Sequence, residues 1–83
     1  MNRLFFEIFA GETLTFKWEG PHNVEQLEKE DYENCTGFNT TEPTESPFEF
    51  VSEAEGSYYF ACGVPTHCDQ GQQKAEVTVK TDC

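Results

Sequence analysis

At 83 residues the chain has the length of one domain, 1–83, with little apolar volume for a core. Its 16 acidic and 5 basic side chains leave a formal charge of −11, which argues against nucleic acid or anionic lipid as partners because their phosphates would be repelled. Leu, Ile, Val and Phe fill only 17 positions, near the limit below which charged chains stay disordered; 12 aromatics make up the deficit with large buried rings.

The N-terminal ten residues superficially resemble a signal peptide, but the apolar run is short and interrupted by Glu7. It reads as a strand: Phe5-Phe9 and Phe6-Ile8 alternate before Gly11. Leu14, Phe16 and Trp18 follow with Thr15 and Lys17 between them, which predicts a second strand with one buried face. Val24 to Leu27 predicts a third, fading into an acidic run that supports at most one helical turn near Glu28–Tyr32. Residues 36–47 form a polar, proline-punctuated loop. Phe48-Glu49-Phe50, the aromatic run Ser57 to Cys62, and Ala75, Val77 and Val79 complete about six short strands. That count, with turn signals between, predicts an all-β sandwich. No stretch approaches the ~20 apolar residues of a membrane span, so no membrane insertion is expected of this domain.

The chemistry is concentrated in Cys62-Gly63-Val64-Pro65-Thr66-His67-Cys68-Asp69-Gln70-Gly71-Gln72. A tight turn after Cys62 would bring its thiolate and the His67 imidazole to one point, and the strand beginning near Gln72 would return a further donor. The only other histidine, His22, starts a different strand. One thiolate, two imidazoles and a weak fourth donor suit copper. Zinc held by Cys62, His67, Cys68 and His22 stays open as a competitor, although adjacent His-Cys ligands and the lack of paired C-x₂-C spacing count against it. Cys62 as a buried thiol or half of a disulfide, and the histidines as surface residues, are the plainer alternatives.

Gly20-Pro21-His22-Asn23-Val24, Asn34-Cys35 and Tyr59 through Gln72 closely resemble the phytocyanins, the blue-copper branch of the cupredoxins, over Gly11 to about Lys80. The resemblance implies a Greek-key β-sandwich with copper near one end, held by His22, Cys62 and His67. Gln72 then stands at the axial position, as in stellacyanin-like members, with Gln73 an adjacent decoy. It also implies a Cys35–Cys68 disulfide, which reserves Cys62 for the metal. Family members carry a longer N-terminal strand than the ten residues before Gly11 here. Either that first strand is missing or Leu4–Phe9 does its job alone as a shortened strand, and an uncovered sheet edge could pair with a second chain.

The expected function is that of a type 1 copper protein, not an enzyme, carrying single electrons to or from a redox protein or small molecule. The alternative is a copper-buffering or extracellular recognition module. A disulfide indicates an extracytoplasmic compartment, secreted or membrane-anchored by another segment. Asn34-Cys35-Thr36 and Asn39-Thr40-Thr41 fit the N-glycosylation pattern at Asn34 and Asn39. A monomer is expected, with a dimer through the edge strand or Cys83 as the other arrangement. Cys83 itself reads more simply as the cut end of a longer protein.

Overall fold

Aromatic and β-branched residues at every second position give each strand one apolar side, and two sheets bury those sides against each other. The computed structural model describes residues 4–68 and 73–81. In chain order the elements are β1 (Leu4–Phe9), β2 (Thr13–Phe16), β3 (Glu25–Leu27), α1 (Lys29–Asn34), β4 (Phe48–Val51), β5 (Gly56–Ala61) and β6 (Lys74–Lys80). One sheet has the order β1-β6-β5-β3; β2 and β4 form the other. β1 runs parallel to β6, from Leu4 opposite Ala75 to Phe9 opposite Lys80. The β5–β6, β3–β5 and β2–β4 pairs are antiparallel.

Phe50, Phe60, Val77 and Val79 form the buried centre between the sheets, with Phe6, Ile8, Leu14, Phe16 and Phe48 packed around them. The rings interlock: Phe16 and Phe60 lie 5.2 Å apart, and Phe50 and Phe60 4.9 Å in an edge-on arrangement. These are the residues that period-two alternation assigns to the inside, so the predicted sandwich is the observed one.

Two elements differ from expectation. The second strand ends at Phe16 instead of reaching Trp18. The Trp18 backbone N–H donates to Ser46 Oγ and its indole N–H to the Thr44 carbonyl, each at 3.2 Å, so side-chain and loop partners replace the ladder. The helix is longer than one turn, although Glu28 at its N-cap supplies no side-chain bond. Packing compensates for this weak local signal. Tyr32 is fully buried, its ring 5.0 Å from that of Tyr59 on the outer face of the larger sheet. The Lys74 ammonium donates to the Tyr32 carbonyl at 3.0 Å and lies over the Tyr32 ring.

The helix ends where Cys35 adopts a left-handed φ of 57°. There it bonds to Cys68, the pairing that the resemblance implies. Leu27, Tyr32, Ala61 and Cys68 make a second buried cluster around this link. At the opposite edge, β1 leaves Phe5 67% and Phe9 50% exposed. Its outward N–H at Phe9 is taken by the Glu12 carboxylate at 2.7 Å.

Candidate metal centre

Cys62 directly follows β5, and its backbone N–H donates to the Gln73 carbonyl at 3.0 Å, just ahead of β6. The next residues turn sharply. The His67 N–H reaches back to the Val64 carbonyl at 3.1 Å, and Gln73 N–H donates to the His67 carbonyl at 2.9 Å. The loop between two hydrogen-bonded neighbours of one sheet is thereby tied at both ends, and Cys68 adds a covalent tether to the helix. Thr66, immediately before His67, carries a left-handed φ of 71°, costly for a β-branched residue.

His22 arrives from the other side. Its N–H donates to the Gly20 carbonyl and its carbonyl accepts from Thr44 N–H, both at 3.0 Å, so the segment before β3 is fixed from two directions. The three side chains converge. His22 Nδ1 and His67 Nδ1 are 3.1 Å apart, and Cys62 Sγ is 3.4 Å from His67 Nδ1. One donor atom from each residue fits within 4.8 Å of the others. Two ring nitrogens approach so closely when a proton or a cation lies between them. Cys62 is 4% exposed, and both imidazoles are half-buried.

Sequence reading did not single out Asn23, which the structure makes the hub of this end of the molecule. It is 1% exposed. Its backbone N–H points at Cys62 Sγ, 3.4 Å away, and its side-chain oxygen accepts the Gly63 N–H at 2.6 Å. Its amide nitrogen donates to the carbonyls of Glu42, at 2.8 Å, and Thr40, at 3.5 Å. One side chain thus joins the His22 segment, the Cys62 loop and the long polar loop. Adjacency to His22 was the only local signal.

His22, Cys62 and His67 are therefore brought together, as expected from the sequence, and Cys62 is free of any disulfide. The expected fourth donor, Gln72, lies outside the described residues, as does Cys83. Asn34 and Asn39 are both exposed. The donor set is chemically suited to copper: one soft sulfur and two imidazoles in a three-point arrangement are the ligands of blue-copper sites. A Cys₂His₂ zinc set is excluded, because Cys68 is oxidised to a disulfide.

The plastocyanin-like domain family matches residues 5–72. The chain is 35% identical over 73 residues to a blue copper protein of Petunia hybrida, covering 86% of this chain but 27% of that protein. It is also 35% identical over 77 residues to stellacyanin of Toxicodendron vernicifluum, covering 86% and 69%. Cucumber stellacyanin, solved with Cu2+, superposes with a TM-score of 0.75 at 33% identity, covering 89% of this chain and 70% of that one. The chain belongs to the phytocyanins, within the copper-binding plastocyanin-like family. It spans about a quarter of the petunia protein's length.

Proposed function

We propose that this domain is a type 1 copper electron carrier. The observation that carries the reading is the convergence of His22, from the segment before β3, with Cys62 and His67, from the loop after β5, each segment anchored by its own backbone bonds. Bound copper supplies one-electron chemistry, alternating between Cu(I) and Cu(II). The chain's contribution is to keep its donors still. The Cys62 thiolate and the two imidazoles are fixed by backbone bonds on both flanks, which limits the rearrangement that a change of metal charge would otherwise drive. Gln72 would be the fourth, weak donor; an amide oxygen, harder than a thioether, would favour the more charged metal state.

The domain acts as a carrier and not as an enzyme, since the assigned donors leave no position for a substrate. Electrons enter or leave beside half-buried His67, where Pro65 and Thr66 are exposed. The partner is a redox protein or a small molecule. The charge of −11 steers a basic protein partner and makes that association weaken with salt. The Cys35–Cys68 bond fits an oxidising, extracytoplasmic setting, where Asn34 and Asn39 would be open to glycosylation. No helix among the described residues is long and apolar enough to cross a membrane.

The visible spectrum after addition of Cu(II) tests the reading. Strong blue absorption is expected from a Cys62–copper bond. A protein that stays colourless with Cu(II) overturns it. Fast electron self-exchange in the loaded protein is the second expected result; sluggish exchange with tight binding would instead indicate copper buffering.

A further inference from the structure

A cleft of about 250 Å³ opens between the end of β2 and the β5–β6 pair. Phe16, Trp18, Val24, Phe60 and Ala75 line it, and His22 and Cys62 border it as well. We propose that this cleft is a binding site for one uncharged aromatic ring bearing a hydroxyl group, a ligand of the phenol class.

Size, rigidity and charge each support that assignment. An apolar cavity of roughly 150 Å³ is enough for benzene, so the space here admits a single substituted ring. The walls are preformed. Trp18 is held by bonds to Ser46 and Thr44, and Phe16 is locked against Phe60 and Phe48 at 5.2 and 6.0 Å. A ring entering the cleft therefore meets fixed aromatic faces and costs little ordering of the protein.

The rim selects further. Lys17 and Glu19 flank Trp18, one cation and one anion, on a chain whose net charge is −11. Elsewhere the acidic excess disfavours anions; here Lys17 and Glu19 oppose one another, and Lys74, the third charged lining residue, is turned to the Tyr32 carbonyl and ring. A neutral hydroxyl can donate to the Glu19 carboxylate and accept from the Lys17 ammonium without carrying a charge out of water. An aliphatic alcohol would satisfy the rim but lose the ring contacts. The site does not depend on copper for its walls, so it stands apart from the electron-carrier reading, although a ligand seated there would lie beside two of the metal donors.

The sole tryptophan makes the test direct, because its indole N–H gives one nitrogen–proton NMR signal. The full chain would be titrated with 4-methylphenol, both metal-free and loaded with diamagnetic Cu(I). Saturable shifts of the Trp18 indole and the Val24 and Ala75 amides are expected in both forms. The ring-free analogue 4-methylcyclohexanol should leave them unmoved. Lys17→Gln and Glu19→Gln, both at exposed positions, should each weaken binding several-fold while the spectrum stays dispersed. Unmoved signals in a folded protein, equal shifts with the cyclohexanol, or rim variants with unchanged affinity would each overturn the proposal. Loss of copper binding alone would leave it standing, so the two readings fail separately.

Discussion

The side chain of Asn23 and the backbone of Gly63, 40 residues apart, meet in a 2.6 Å hydrogen bond inside the protein. This contact sets the distance between the segment bearing His22 and the loop bearing Cys62 and His67. The metal centre is thus held by a neutral amide as well as by its own donors.

Asn23→Ala should be the most costly single change at this end of the molecule. It strands the Gly63 N–H and the Glu42 carbonyl in a buried setting. A loss of about 2–4 kcal/mol is expected, readable from urea unfolding of the metal-free protein. A variant as stable as the parent would mean that water substitutes freely for the amide.

Gly63→Ala tests the close approach of the loops. A Cβ there would meet the Thr40 carbonyl at 2.6 Å and the Phe38 ring at 2.8 Å. Overpacking of this kind costs about 1–3 kcal/mol, and the displaced loop should weaken or shift the blue absorption band. Calorimetry and the visible spectrum would be read on the same sample.

Thr66→Asn should have the opposite sign. Asn tolerates the left-handed conformation that Thr66 holds at φ 71°, so a gain of about 0.5–1 kcal/mol in unfolding free energy is expected. No gain, or a loss, would show that Thr66 makes a compensating contribution.

Replacing both Cys35 and Cys68 by Ala removes a link of sequence separation 33. The chain-entropy estimate for that loop is about 3–4 kcal/mol, a large share of the stability of so small a domain. The midpoint of denaturation should fall accordingly, and the copper site should become easier to strip by a chelator because Cys68 adjoins His67.

Gln72→Met replaces a hard amide oxygen by a soft thioether, which favours Cu(I). The reduction potential of the loaded protein, measured by voltammetry, should rise. An unchanged or lower potential would remove Gln72 from the donor set.

Much of this protein is readable without coordinates. Alternation of period two in Phe6-Ile8, Leu14-Phe16, Phe48-Phe50 and Val77-Val79 reports which face is buried, because successive side chains of a strand must point opposite ways. The donor types and the short spacing of Cys62 and His67 are equally local, since one loop carries both. Three things were decided only by the tertiary structure. His22 reaches His67 across 45 positions because β3 pairs antiparallel with β5, Glu25 opposite Ala61, and no window of sequence contains that contact. The helix at Lys29–Asn34 gains its second turn from Tyr32 buried against Tyr59 and Lys74, which outweighs its acidic, uncapped start. Asn23 looks like any polar residue in a turn until its partners, drawn from two distant segments, close around it. Local pattern reports which side of the chain avoids water; which distant groups then meet depends on which strands pair and how their faces pack.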